Sequence, residues 1–260
     1  MTELKGGALL EARQVVVRFG GLEAVGGLDM AVARGAIHGL IGPNGAGKTT
    51  VLNVLTGFIR PTAGRLVFDG EEIGGLNVNG FARRGLARTF QNIRLFGAMT
   101  VLESVLVGAH QRFSASAPAL IFGGRAARTA ERAMIARAHE LLDFVGLRHD
   151  IADRVATTLS YGHQRRVEIA RALMSSPKLL LLDEPLAGMN AVEKQEIAEL
   201  VRQVRAQGIA VLLIEHDMQI VRSLCDHLTV LEYGKLLADG APERVLSDPA
   251  VQAAYLGRAR

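Results

Sequence analysis

The chain has no tryptophan, three tyrosines and nine phenylalanines, so aromatics make up only 5% of its 260 residues. Proteins that bind single-stranded nucleic acid interleave aromatic faces with basic residues so that bases can stack, and no such pattern is present. The arginine clusters Arg83–Arg84, Arg125–Arg128 and Arg165–Arg166 are short and interrupted, so the net charge of +4 is not gathered into a stripe for a polyanion. No nucleic-acid partner is expected. A single cysteine, Cys225, rules out an internal disulfide and fits a reducing compartment. Long apolar runs are missing too. The longest, such as Leu179 to Leu182 and Val211 to Ile214, are a few residues against the ~20 that a membrane-spanning helix needs. The start, MTELKGGALLEARQ, sets glutamates beside its apolar residues and lacks a basic opening, so it does not read as a secretion signal. Together these absences predict a cytoplasmic protein that does not itself cross a membrane.

What is present is an ordinary globular composition, 49% hydrophobic and 22% charged, in a chain long enough for one large domain or two small ones. The apolar period switches repeatedly between short β-branched or leucine-rich runs and longer helical segments, which predicts an α/β fold with a mixed sheet. Strands are expected at Val15–Val17, Ala36–Ile41, Arg65–Phe68, Leu179–Asp183, Ala210–Glu215 and Thr229–Glu232, the last turning at Gly234–Lys235 into a short return strand. Between Thr100 and Ser175 the pattern is almost wholly helical, interrupted by a small-residue loop from Ser114 to Gly124 and closed by Pro177. That block reads as a helical subdomain, about 92–176, inserted in a single domain spanning 1–260. There is no internal repeat and no linker long enough to part independent domains.

Three segments carry chemistry. Gly42-Pro43-Asn44-Gly45-Ala46-Gly47-Lys48-Thr49 has the spacing of a phosphate loop and lies between an expected strand and an expected helix. Glycines let backbone amides turn in on phosphates, a helix beginning near Lys48 aims its positive end at them, and the lysine ammonium neutralises the terminal phosphate. Thr49 offers an oxygen for Mg²⁺, and Thr50 completes the phosphate-binding set. Leu179-Leu180-Leu181-Leu182-Asp183-Glu184 then brings two carboxylates to the end of a buried strand, at the sheet edge where α/β folds place ligands. Asp183 would hold Mg²⁺ through water and Glu184 would act as general base on an attacking water. In Leu159-Ser160-Tyr161-Gly162-His163-Gln164-Arg165-Arg166, Ser160 and Gly162 open a helix, which is both an N-cap and a second anion-facing helix start. One phosphate loop with two such starts leaves the second to be explained.

In this order and at about this spacing, the phosphate loop, the LSYGHQ segment and the LLLLDE strand resemble the P-loop nucleotide-binding domain of ABC transporters, and the resemblance covers essentially the whole chain. It implies a dimer that sandwiches two ATP molecules head to tail, with Ser160 and Gly162 reaching the nucleotide held by the other subunit. It further implies that Phe19, in VVVRFGG, stacks on adenine. By the same resemblance Gln91, in RTFQNIRLF, reaches Mg²⁺ and the attacking water, and His216, after VLLIE, contacts the γ-phosphate. The chain departs from the family pattern at Tyr161, where glycine is common, at His163, where glutamine is usual, and at Asn190, where aspartate is usual. Asn190 and Glu193 are also spaced as a capping pair for a helix over Ala191–Arg205.

The strings LSYGHQRRVEIARAL, DEPLAGMN, LLIEHDM and DPAVQAAYLG resemble the LivG-type ATPases of branched-chain amino-acid importers, and the helical segment from about Thr100 to Gly146 points the same way. That branch implies a second ATPase subunit, identical or related, two integral membrane permeases and a periplasmic solute-binding protein. Location on the inner face of the plasma membrane through the permeases follows. Urea and short-amide importers share nearly all of these features. An ABC protein acting on ribosomes or nucleic acid usually carries two ATPase units in one chain or a coiled-coil insertion, and an exporter usually fuses membrane helices to this domain. Neither pattern is found in the sequence.

Overall fold

The computed structural model describes residues 7–110 and 125–256. The loop expected at Ser114 to Gly124, residues 1–6 of the opening stretch and Gly257 of the DPAVQAAYLG string lie outside the described residues. In chain order the elements begin with β1 (Ala8–Phe19), β2 (Leu22–Ala33), β3 (Ile37–Ile41) and α1 (Lys48–Val54). There follow β4 (Ala63–Phe68), β5 (Glu71–Glu72), α2 (Val78–Arg83), β6 (Leu86–Arg88), α3 (Val101–Leu106), α4 (Arg125–Phe144) and α5 (Tyr161–Met174). The rest is β7 (Leu179–Asp183), α6 (Ala191–Ala206), β8 (Ala210–Ile214), α7 (Met218–Leu224), β9 (His227–Glu232), β10 (Lys235–Gly240), α8 (Pro242–Leu246) and α9 (Pro249–Leu256). The chain forms two compact units, one of Met1–Leu86, Lys178–Glu184 and Ala198–Arg260, the other of Ala87–Pro177 and Pro185–Ile197.

The first unit is organised by strands that are apolar on both faces. Every residue of β3, β7 and β8 is buried; β7 and β8 read as near-continuous apolar runs because neither face meets water, and β3 carries one buried histidine, His38, within its run. They belong to a six-stranded sheet in the order β10-β9-β3-β8-β7-β6, in which β9, β3, β8 and β7 run parallel and the hairpin strand β10 runs antiparallel to β9. A second, antiparallel sheet has the order β2-β1-β4-β5. The helix α1 turns Val51, Leu52 and Val54 into a single core with Leu40 and Leu212 of the first sheet and Val15, Val25 and Phe68 of the second. Each of these fully buried side chains stabilises the fold by roughly 1.5–3 kcal/mol, so the helix behind the phosphate loop is held between the sheets by packing.

The antiparallel sheet is larger than the sequence predicts. Val15–Val17 is the middle of a twelve-residue strand, and its partner β2 was not expected. Two glycines, Gly26 and Gly27, interrupt β2, and register shifts between Ala12 and Val15 and between Val15 and Val17 break the strict alternation that marks a half-buried strand.

The second unit holds α3, α4, α5 and the first residues of α6. A capping box opens α3, with Thr100 Oγ1 accepting from the Glu103 amide at 3.1 Å and Glu103 Oε2 accepting from the Thr100 amide at 2.8 Å. The stretch from Val145 to Ser160 is not the continuous helix that the periodicity predicts; it contains two short 3₁₀ turns, His149–Ile151 and Ala156–Thr158. Local side-chain bonds of the kind Thr158 Oγ1 makes to the Val155 carbonyl, 2.7 Å, compete there with the helical ladder. Among the described residues no helix is long and apolar enough to cross a membrane.

Candidate nucleotide site

Three parallel strands of the first unit deliver the groups that the sequence singles out. Leu40 of β3 lies opposite Ile214 of β8, and Ile214 lies opposite Asp183 of β7, so the segments that follow these strands leave the same carboxyl edge of the sheet. From β3 comes the loop Gly42–Gly47. Gly42 has φ 151° and a Cβ there would lie 2.2 Å from the Leu231 carbonyl oxygen; Gly47, with φ 99°, would put one 2.8 Å from the carbonyl oxygen of Ala24. Only glycine lets the backbone pass so close to β2 and β9. The loop is fixed by the Ala46 amide donating to the Pro43 carbonyl at 3.1 Å and the Gly234 amide donating to the Ala46 carbonyl at 3.0 Å.

Lys48 begins α1, and its ammonium donates to the carbonyl oxygens of Gly42 at 2.6 Å and Pro43 at 3.0 Å. The charge is thus folded back over the loop instead of extending into solvent. Gly47, the N-cap, has no side chain with which to cap the first turn of α1. Gly42, Pro43 and Ala46 are buried, whereas Asn44, Gly45 and Thr49 are exposed and Thr50 is half-buried, which gives the loop a buried base and an open rim.

The carboxylates follow from β7. Asp183 is buried at the strand end. Glu184 has φ 47°, a left-handed conformation that costs a side-chain-bearing residue about 1 kcal/mol or more, and its amide donates to the Ile214 carbonyl at 3.0 Å. The left-handed turn takes the chain off the strand at the residue proposed as base. After β8, Glu215 is buried and accepts from the His216 amide at 3.2 Å, with its carboxylate 3.8 Å from Nδ1 of the exposed His216 ring. Sequence reading passed over Glu215, because one acid among many shows its role only through burial beneath the histidine.

Tyr255 was missed for the same reason. Its hydroxyl oxygen is buried, faces the Gly42 backbone and makes no hydrogen bond of full geometry among the described residues; burial pushes its pKa up to about 12, with the Gly42 backbone opposing. Its ring lines an open groove of ≈ 490 Å³ with Met218, Gln219 and Arg222 of the helix that follows His216. Phe19 ends β1 opposite Leu22, its ring half exposed.

The remaining expected site residues are in the second unit. Gln91 follows β6 with an exposed side chain. Ser160 caps α5, its hydroxyl accepting from the His163 amide at 3.5 Å, and Gly162 is buried in the first turn. Asn190 and Glu193 form the capping pair that their spacing predicts. Asn190 Oδ1 accepts from the Glu193 amide at 3.0 Å, and Glu193 Oε2 accepts from the Asn190 amide at 3.0 Å. The first unit therefore gathers Lys48, Thr49, Thr50, Asp183, Glu184 and His216 at one sheet edge, and the second carries Gln91, Ser160 and Gly162.

The family model described as ABC transporter matches residues 25–187, and that described as branched-chain amino acid ATP-binding cassette transporter matches residues 235–260. The high-affinity branched-chain amino acid transport ATP-binding protein BraF of Pseudomonas aeruginosa is 47% identical over 96% of this chain and 98% of its own. The corresponding protein LivG of Escherichia coli K12 is 42% identical over the same shares. Among solved structures, the ADP conformation of MJ1267, an ATP-binding cassette of an ABC transporter, superposes with a TM-score of 0.84 at 34% identity, covering 97% of this chain and 100% of that one. With a family model over more than half of its length and relatives matched nearly end to end, the chain belongs to the ABC transporter family, as one of its P-loop ATP-binding proteins.

Proposed function

We propose that this chain is the ATP-hydrolysing subunit of an importer for branched-chain amino acids. The observation that carries the chemistry is the meeting of the phosphate loop, Asp183, Glu184 and His216 at one edge of one sheet. The solute class is supported by the BraF and LivG relatives and by the match at residues 235–260. We further propose that the whole chain acts as one ATPase domain, with about 92–176 as its inserted helical part. The compact unit built on Ala87–Pro177 supports that reading, and it takes in Pro185–Ile197 as well.

The geometry of the loop and strand ends supports the roles of Lys48, Thr50 and Glu184, and the resemblance to the ABC ATPases supports those of Phe19 and His216. Loop amides and the Lys48 ammonium take the β- and γ-phosphates of ATP, Thr50 adds to that cradle, and Phe19 stacks on the adenine. Water attacks the γ-phosphorus in line, the bond to the bridging oxygen of ADP breaks, and Glu184 accepts the proton of the water while His216 contacts the transferred phosphoryl group. Most of the acceleration comes from positioning and from neutralising phosphate charge.

Mg²⁺ fits the donor set. Among the described residues no cluster of three or more histidine, cysteine or acidic side chains forms a cage, and an ion bound with a nucleotide takes only one or two protein oxygens, the rest being phosphates and water. Thr49 and, by the resemblance, Gln91 would supply those oxygens, with Asp183 holding the ion through a bound water, and the ion would supply charge neutralisation on the phosphates. Ser160 and Gly162 are assigned to the ATP held by a second ATPase subunit, a copy of this chain or a relative. That dimer docks beneath two integral membrane permeases on the cytoplasmic face of the membrane, supplied with solute by a periplasmic binding protein.

The experiment is a pull-down from native membranes with tagged Glu184→Gln protein and ATP. Recovery of two permeases and a second ATPase is expected, with a binding protein that takes leucine and valine. A binding protein that takes urea or a short amide instead would overturn the solute class. Recovery of ribosomes or nucleic acid would overturn the transport reading.

A further inference from the structure

Among the described residues Arg165 is the largest fully buried side chain, and it sits one turn inside α5. Its Nη1 donates to the Phe90 carbonyl at 2.7 Å and to Glu168 Oε2 at 2.6 Å, and its Nη2 donates to the Gln91 carbonyl at 2.9 Å and the Tyr161 hydroxyl at 3.2 Å. Glu168, one turn on, accepts from the Phe90 amide at 3.3 Å. Arg171, three residues further, lies 3.5 Å from Glu168 Oε1 and donates from Nη1 to the Arg94 carbonyl at 2.6 Å. The guanidinium groups of Arg94 and Arg88 lie over the Phe90 ring, 4.6 Å and 5.1 Å from its centroid.

Residues 90–94 belong to no helix or strand. Their backbone groups need partners from elsewhere, and positions 165, 168 and 171 of one helix supply them for Phe90, Gln91 and Arg94. Burying a guanidinium and a carboxylate costs several kcal/mol of desolvation per ion, more than their attraction alone returns, and an apolar pair of similar volume would fill the same space. Burial raises the Glu168 pKa even though Arg165 opposes it. What an apolar pair could not do is hold two successive carbonyl groups, those of Phe90 and Gln91, in one place. The Gln91 side chain meanwhile remains on the surface.

We propose that Arg165, braced by Glu168, is a positioning residue for Gln91: it locks the backbone at Phe90–Gln91 to the helix that Ser160 opens, so that the glutamine and the Ser160 end of α5 move as one piece. This rests on the reading of Gln91 as the glutamine that meets the attacking water. A side chain that acts through position 91 governs turnover and leaves the grip of the phosphate loop on ATP alone, because Lys48 and its loop are in the other unit.

The test compares wild type, Arg165→Lys, the charge-free double variant Arg165→Met/Glu168→Met, Gln91→Ala, and Arg165→Lys combined with Gln91→Ala. The double variant avoids a lone buried carboxylate and guards against simple misfolding. Melting temperature, ATP affinity, turnover at saturating Mg·ATP and amide hydrogen exchange of residues 89–95 without nucleotide are measured. Arg165→Lys is expected to exchange faster over 89–95 and to lose turnover roughly tenfold to a hundredfold, as displacement of a positioned group by about 1 Å does. ATP affinity should stay within about threefold, and adding Arg165→Lys to Gln91→Ala should cost nothing more, because the two act as a unit. Folded Arg165 variants with wild-type turnover, beside an impaired Gln91→Ala, would overturn the inference and leave the reading of Gln91 standing; so would losses that multiply. Wild-type turnover in Gln91→Ala would overturn both.

Discussion

Replacing Glu184 separates chemistry from backbone geometry, because the residue combines the carboxylate proposed as general base with a left-handed conformation, φ 47°. Glutamine keeps the shape of the side chain, and the amide bond from residue 184 to the Ile214 carbonyl, 3.0 Å, does not depend on charge. Glu184→Gln should therefore fold as wild type does, with stability within about 0.5 kcal/mol, as for substitutions that break no packing. The Lys48 contacts to Gly42 and Pro43 are untouched, so ATP affinity should hold. Loss of a positioned general base lowers turnover by about 10²–10⁴-fold, equivalent to ~3–5 kcal/mol on the barrier. A phosphate-release assay at saturating Mg·ATP, with binding followed by a fluorescent nucleotide, reads both quantities. Glu184→Gly and Glu184→Ala complete the set. Both abolish the base, but glycine accepts the left-handed conformation, so Glu184→Gly should be about 1 kcal/mol more stable than Glu184→Ala, the reverse of their order in a helix. Turnover of Glu184→Gln within about threefold of wild type would refute the assignment of the base, since general-base loss is at least an order of magnitude larger.

Lys48→Ala removes a charged donor from the phosphate loop and should weaken ATP binding by about 10- to 100-fold, measured by titration calorimetry, with little change in melting temperature. Phe19→Ala should cost roughly 1–3 kcal/mol of binding to ATP and almost none to inorganic triphosphate, since the proposed stacking involves only the base. His38 is buried and faces His227, Asp239 and Thr229; burial first, then His227, lowers its pKa from 6.5 to about 3 against an opposing Asp239. Between those values the unfolded chain binds the proton and the folded one does not, so stability is intact above pH 6.5 and falls as pH drops, by ~2 kcal/mol at pH 5. Urea midpoints at pH 7.5 and 5 should show that loss in wild type and a smaller one in His38→Gln. Asn190→Ala breaks the capping pair of α6 and should lower stability by about 1 kcal/mol in the same assay.

Which parts of the molecule could be read from sequence follows from what constrains each residue. The strands β3, β7 and β8 are buried on both faces, and that condition writes itself as a largely apolar run, broken in β3 by His38 alone, that ends at a glycine or an acid. The antiparallel sheet hides because β2 carries paired glycines at its centre and β1 shifts register three times between Ala12 and Arg18, so the alternation appears only over Val15–Val17. The stretch from Val145 to Ser160 reads as helix because short 3₁₀ turns preserve a similar spacing of apolar residues, and only local bonds such as that from Thr158 reveal the difference.

The same distinction divides the site. Binding phosphate restricts residue identity: a glycine where a Cβ would strike the Leu231 carbonyl, a lysine to cover the loop, carboxylates at a strand end. Those requirements are visible in one dimension. Glu215 under His216, Tyr255 beside Gly42 and Arg165 beneath Gln91 are residue types found anywhere on a protein, and their significance lies in burial against a particular partner distant in sequence. Arg165 and Gln91 are 74 residues apart, and no spacing rule joins them. The groups that would touch ATP are therefore legible as a motif, whereas the groups that hold them in place become legible only when the chain is folded, and these supporting groups are where substitutions should alter turnover without altering any recognisable motif.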